Sequence, residues 1–156
     1  MTASKSGGGT WSPETYMRFE AYRARPMEDF LPRIKLTVPG PIHDLGCGTG
    51  NLTRQLKARW PDRAVTGMDY SREMLDAARR RYADVAIDWQ QGDIATWSGA
   101  PAALVFTNAA LHWVPGHEHL FPRLFGGVIP GGLLAVQMPL TVTSPYHLAI
   151  ARVKRM

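Results

Sequence analysis

The 156-residue sequence predicts an α/β protein built on a doubly wound, mostly parallel sheet. Three observations carry that prediction. Short apolar runs alternate with segments of helical periodicity from Ile42 onward, and such alternation joins parallel strands through helical crossovers. A glycine-rich loop follows the first run and opens a helix, and open sheets of this kind bind ligands beyond the C-terminal ends of their strands. An acid, Asp69, closes the second run. Composition agrees. With 45% apolar and 20% charged residues, the chain is neither disordered nor fibrous. Its length fits about one domain, and a single cysteine, Cys47, excludes a disulfide framework.

Residues 1–10 carry glycine, serine and threonine and are expected to be a floppy tail. Ser12-Pro13-Glu14 reads as a helix start, a hydroxyl cap followed by Pro and an acid. Tyr16, Phe19 and Tyr22 follow at helical spacing. A second start at Arg25-Pro26 leads Met27, Phe30, Leu31 and Ile34 onto one face. Val38-Pro39-Gly40-Pro41 ends this N-terminal segment, residues 11–37. The core, residues 38–140, then begins with a strand at Ile42–Leu45 and a helix from Asn51 to about Trp60. Ala64–Met68 is the second strand, and Ser71 caps a helix bearing Met74, Leu75 and Ala78. Val85–Trp89 and Ala102–Thr107 are the third and fourth strands, and Gly116–Phe125 is weakly helical. Leu133–Met138 is the fifth strand, entered through Pro130-Gly131-Gly132. Residues 141–156 form a short C-terminal segment.

The net charge is +5, but Arg152, Lys154 and Arg155 supply three of those charges. The body is nearly balanced, which is poor evidence for a nucleic-acid surface. Arg79-Arg80-Arg81 reads as a solvated helix end, where cations suit the dipole. The N-terminus lacks the apolar core of a secretory signal, and no stretch approaches the ~20 apolar residues of a membrane span. The expectation is a cytoplasmic protein.

The chemistry centres on Asp44-Leu45-Gly46-Cys47-Gly48-Thr49-Gly50-Asn51. Its glycine spacing is G-x-G-x-G, whereas the dinucleotide fingerprint is G-x-G-x-x-G. Asn51 stands where that fingerprint requires glycine, which disfavours a nicotinamide-dependent oxidoreductase. Asp44 at the loop entrance would oppose a pyrophosphate; it either pairs with a cationic ligand or braces the loop. Asp69, 19 residues after Gly50, stands where an acid hydrogen-bonds ribose hydroxyls. Loop and acid together fit a ribose-bearing cationic ligand without phosphate, such as S-adenosylmethionine. Asp93, in Gly92-Asp93-Ile94, either accepts from an adenine amino group or caps a turn, and Ile94 can pack on the ring.

These motifs resemble class I S-adenosylmethionine-dependent methyltransferases and, more narrowly, the trans-aconitate 2-methyltransferases. The resemblance runs from Trp11 to about His147. The glycine loop is general to the superfamily. Arg23-Ala24-Arg25-Pro26, Asn108-Ala109-Ala110-Leu111-His112-Trp113 and Gln137-Met138-Pro139 point to the narrower group. The resemblance implies a Rossmann-like fold and a cofactor site of Asp44, Gly46, Cys47, Gly48, Asn51, Asp69, Tyr70, Ser71, Met74, Asp93, Ile94 and Asn108. It implies that the N-terminal segment covers that site. Ala103 departs from the family, which often has an acid just before the fourth strand. The family sheet has seven strands and the sequence supplies five, so the expectation is a C-terminally truncated chain.

A carboxylate acceptor is ionised at pH 7, its reference pKa being near ~4, so no catalytic base is expected. The acceptor must instead be held. Arg23 and Arg25 are candidates for a bidentate clamp, the alternative being structural pairing with Glu20, Glu28 or Asp29. Tyr16, His112 and Trp113 complete the candidate acceptor site, though Trp113 also suits core packing. No metal site is expected, because His117, Glu118 and His119 lack metal-ligand spacing. Asn108-Ala109-Ala110-Leu111 also lacks the Asn-Pro-Pro-Tyr-type motif of DNA amino-methylating enzymes. The expected partner is a small acidic substrate, with no nucleic acid and no membrane. An unpaired fifth strand is an aggregation-prone edge, so self-association through it is expected. A cofactor-binding chain with little or no activity is the alternative function.

Overall fold

The computed structural model describes residues 29–139. The expectations for residues 1–28 and 140–156, including Tyr16, Arg23 and Arg25, lie outside the described residues.

A five-stranded sheet, all parallel, has the order β3-β2-β1-β4-β5. The strands are β1 (Ile42–Leu45), β2 (Val65–Asp69), β3 (Asp88–Gln91), β4 (Ala102–Asn108) and β5 (Val128–Gln137). Helix α1 (Asn51–Arg59) joins β1 to β2, α2 (Arg72–Arg81) joins β2 to β3, and α3 (His117–Gly126) joins β4 to β5. The chain therefore winds outward from β1 in one direction, then returns to β4 on the other side. The reversal lies between β1 and β4, which pair Ile42 with Leu104 and Asp44 with Phe106.

Alternation along β4 builds a core on each face of the sheet. Leu104 and Phe106 join Ile42, Val65 and Leu56 of α1 on one side. Val105 joins Leu45, Met68, Leu120 and Leu124 of α3 on the other. Each fully buried aliphatic side chain contributes about 1.5–3 kcal/mol. Helix α2 reads from sequence as it forms. The Ser71 hydroxyl accepts the Met74 N–H at 3.2 Å, and Met74, Leu75 and Ala78 are buried.

Three elements differ from expectation by more than one residue. The third strand starts at Asp88 rather than Val85, because the backbone turns there. The Val85 N–H donates to the Tyr82 carbonyl and Ile87 to the Val85 carbonyl. Pairing with β2 begins only at Asp88 opposite Thr66. The fifth strand begins at Val128, so Pro130-Gly131-Gly132 lies within it rather than before it. Ala102 pairs with Val128 and Leu104 with Leu133, so the strand bulges between them. Gly131 takes φ +79° there, and Pro130, which has no N–H to give a ladder, lies in the bulged stretch. The run Phe30, Leu31, Ile34 ends in a three-residue 3-10 turn, Leu31–Arg33, with Ile34 extended. Pro32 cannot supply the N–H that would continue an α-helix. Leu31 and Ile34 still pack into the core as their spacing indicates.

Candidate active site

The glycine loop lies at the reversal between β1 and β4, and it is latched to β2. The Gly46 and Cys47 N–H groups both donate to the Met68 carbonyl, at 2.8 and 2.9 Å. The Gly48 N–H donates to Asp69 Oδ2 at 2.8 Å. The Ser71 N–H donates to Asp69 Oδ1 at 2.9 Å. Asp69 thus ties the loop to the start of α2. Burial pushes its pKa up, and the N–H groups of Ser71, Gly48 and Tyr70 oppose that shift. A carboxylate offers about four acceptor sites. Three backbone donors leave it room for one hydroxyl of a ligand.

Glycine is required in the loop because neighbours occupy the space above it. Gly46 has φ +79° and a Cβ there would overlap the Ala110 methyl. Gly50 has φ +79° and a Cβ there would overlap the Trp89 ring, whose Cζ3 would lie 2.9 Å away. The segment after β4 therefore presses on the loop from one side, and β3 from the other.

Asp44 is 2% exposed. The Thr53 hydroxyl of α1 donates to its Oδ2 at 2.6 Å. Burial raises its pKa to about 7, the hydrogen bond from Thr53 opposes the rise, and the nearby Asp69 charge adds to it. The bracing reading of Asp44 is therefore visible. Because the folded state holds this proton and the unfolded chain releases it near pH ~4, folding stability from Asp44 is full below that value. It is lost as pH rises through about 7. Unfolding followed from pH 4 to 8 is expected to show that loss, and Asp44→Asn is expected to flatten it. An unchanged slope in the variant contradicts the assignment.

Burial, with Asp44 and Asp69 nearby, holds the Cys47 thiol well above its usual range, so it stays protonated and is no nucleophile. Met74 is buried in the core. Ile94 is buried as well, with Cδ1 3.2 Å from where a Cβ at Gly46 would lie. Asp93 caps the turn Ile94–Thr96, accepting the Ala95 N–H at 2.8 Å, and its side chain is exposed. Tyr70, beside Asp69, is 76% exposed. The Asn51 amide oxygen accepts from the Tyr82 hydroxyl at 3.5 Å. Trp113 is 66% exposed, so it is not core packing. Its ring lies 4.7 Å from that of His112. The His117 Nε2 is 2.8 Å from the Leu111 carbonyl. Among the described residues, no group of three or more His, Cys, Asp or Glu side chains is placed to hold a metal. No described helix is long and apolar enough to cross a membrane.

Sequence reasoning misses Thr53, Trp89 and Ala110. Each acts through a residue on another element or loop: Thr53 on Asp44, Trp89 on Gly50, Ala110 on Gly46. The paired glycines Gly50 and Gly67, both covered by Trp89, are the signal that a large side chain fills their place.

Comparison with known proteins agrees with this geometry. The model of the methyltransferase domain family matches residues 42–132. The trans-aconitate 2-methyltransferase of Paracidovorax citrulli is 46% identical over 140 residues, 88% of this chain and 53% of that protein. The one from Rhizobium meliloti is 44% identical over 140 residues, 89% of this chain and 54% of that protein. The chain spans about half the length of the curated relatives it matches. Among solved structures, the DhpI–SAH complex superposes with a TM-score of 0.66 at 27% identity, covering 80% of this chain and 62% of that one. An S-adenosylmethionine dependent methyltransferase from Mesorhizobium loti gives 0.60 at 27% identity, covering 69% and 50%. The fold is the Rossmann-like one of class I methyltransferases. A family match over the whole glycine-loop region, on a sheet of this order, leaves one conclusion: this chain belongs to the methyltransferase domain family.

Proposed function

We propose that the chain binds S-adenosylmethionine and belongs to a cytoplasmic O-methyltransferase that esterifies a carboxylate of a small acidic substrate, trans-aconitate or a close analogue. One observation carries the cofactor reading: the G-x-G-x-G loop is hydrogen-bonded to the acid at the end of β2, Gly48 N–H to Asp69. The site fits the group. It offers a loop tied to Asp69 through the Gly48 N–H, a buried carboxylate at Asp44 for a cationic head, and an Asn108 Oδ1 that lacks a partner. The names of the similar proteins, trans-aconitate 2-methyltransferase and a complex with SAH, support the acceptor and the cofactor in turn.

In this reading Asp44, Gly46, Cys47, Gly48, Asn51 and Asn108 hold the amino-acid end. Asp69, Tyr70, Ser71, Met74, Asp93 and Ile94 hold the ribose and adenine end. When bound, S-adenosylmethionine supplies a methyl group activated by a sulfonium. The acceptor oxygen is already an anion at pH 7, so the chain's residues remove no proton. They orient the acceptor, and proximity lowers the barrier by several kcal/mol. Tyr16, Arg23, Arg25, His112 and Trp113 are the residues proposed for that task. The acceptor is a small molecule rather than a nucleic acid or a membrane.

Calorimetric titration tests the cofactor. S-adenosylmethionine and S-adenosylhomocysteine are expected to bind and NAD is not; NAD binding alone overturns the reading. Methyl transfer from labelled cofactor to trans-aconitate and related acids tests the reaction. Cofactor binding without transfer would select the second reading, a binding chain with little activity. The fact that the chain spans about half of its relatives' length favours testing it. Self-association through β5 is part of the proposal. Among the described residues, β5 pairs only with β4, and Leu133, Leu134 and Val136 are only partly buried. An open apolar edge recruits another strand, and a second copy is the proposed occupant. Sedimentation velocity at micromolar concentration is expected to show dimer or larger species; a clean monomer removes the idea.

A further inference from the structure

Four buried side-chain atoms on the glycine loop and around the end of β4 lack any hydrogen-bond partner: Thr49 Oγ1, Thr107 Oγ1, Asn108 Oδ1 and His112 Nδ1. Arg123 Nε is the fifth such atom among the described residues. Native proteins leave few buried polar atoms unpaired, so each such atom marks a place where a ligand or a water completes the bonding. The backbone carries a second sign. Ala109, between Asn108 and Ala110, takes φ +52°, and a non-glycine residue in that region is strained and concentrates at functional sites. That strain seats the Ala110 methyl against the glycine loop at Gly46. The turn Leu111–Trp113 follows directly, and His112 lies on it.

The His112 ring is neutral at pH 7. Burial lowers its pKa and is the sole cause, so no described charged group acts on it. The neighbouring titratable group His117 has its Nε2 at the Leu111 carbonyl instead. A neutral imidazole carries one N–H. With that proton on Nδ1, the ring presents a shielded donor without an acceptor, and a carboxylate is the strongest complement to it.

Resting on the function proposed above, we propose that His112 is an acceptor-binding residue whose Nδ1–H donates to a carboxylate oxygen of the acidic substrate and selects acids over their esters. A bound carboxylate beside the ring also favours the imidazolium. Acid binding therefore raises the ring's pKa, and acid affinity rises as pH falls through the bound-state value.

The test uses the full chain saturated with S-adenosylhomocysteine. The imidazole signals are followed by NMR while trans-aconitate, or its trimethyl ester, is added; His112→Asn assigns the His112 signal. The acid is expected to raise the ring's pKa by about one unit, and the ester to leave it unmoved. Acid affinity is expected to fall about tenfold in His112→Ala and only about twofold in His112→Asn, whose amide N–H can replace Nδ1–H. Wild-type acid affinity is expected to rise between pH 8 and 6, and that of His112→Asn to stay flat. S-adenosylhomocysteine affinity is expected to hold in both variants. A ring unmoved by saturating acid, absence of acid binding, or full acid affinity in His112→Ala overturns the assignment. Loss of S-adenosylhomocysteine binding by the wild type would instead overturn the cofactor reading, while the acid titration still judges His112.

Discussion

Asp69→Ala is expected to abolish S-adenosylmethionine binding, weakening it at least about 100-fold. Two effects act together. The ribose hydroxyl loses a charged acceptor, and such bonds contribute about 1.5–3 kcal/mol, with each 1.4 kcal/mol worth tenfold in affinity. The Gly48 and Ser71 N–H groups also lose the carboxylate that holds the loop against the start of α2. Asp69→Asn separates the two. Its amide oxygen can keep one loop donor but carries no charge, so an intermediate affinity is expected with less loss of folding stability. Calorimetric titration and urea unfolding measure the pair. Wild-type affinity in Asp69→Ala would remove Asp69 from the cofactor site.

Gly50→Ala carries the largest expected loss of stability. The backbone at φ +79° costs a Cβ-bearing residue about 1–2 kcal/mol. The new methyl would also overlap the Trp89 ring, and overpacking typically costs about 1–3 kcal/mol. A total of roughly 2–5 kcal/mol is expected from the two terms. That is a large share of the ~5–15 kcal/mol that stabilises a typical domain. Gly126→Ala is the control. No atom lies within 4 Å of a Cβ there, and the residue ends α3 in ordinary helical backbone. That change is expected to be neutral or stabilising by up to about 1 kcal/mol. Urea midpoints compare them; equal midpoints for the two variants would contradict the packing described around Trp89.

Local chemistry explains which elements are legible in the sequence. The Ile42–Leu45 strand abuts a glycine loop, so its end is marked on the chain. The start of α2 is marked by a serine whose hydroxyl caps it. The third strand is not marked in this way. Val85, Ile87 and Trp89 alternate like a strand, yet only the pairing with β2 says where the strand begins. Likewise, Pro130-Gly131-Gly132 reads as a break, but β4 carries the ladder past it as a bulge.

The candidate site divides along the same line. Residue types at short spacing determine the glycine loop, the acid after the second strand, the phosphate-free character of the ligand and the family. These depend on neighbours within one strand–loop–helix unit, and such neighbours are adjacent in the chain. Folding alone brings Trp89 over Gly50 and Ala110 onto Gly46, while Thr53 reaches Asp44 within the unit itself. The same holds for burial. Whether Asp44 titrates near 7 rather than 4, and whether His112 stays neutral, depends on how much water the packed sheet excludes. Desolvation is set by the whole fold, so neither value is written in the residue or in its immediate neighbours.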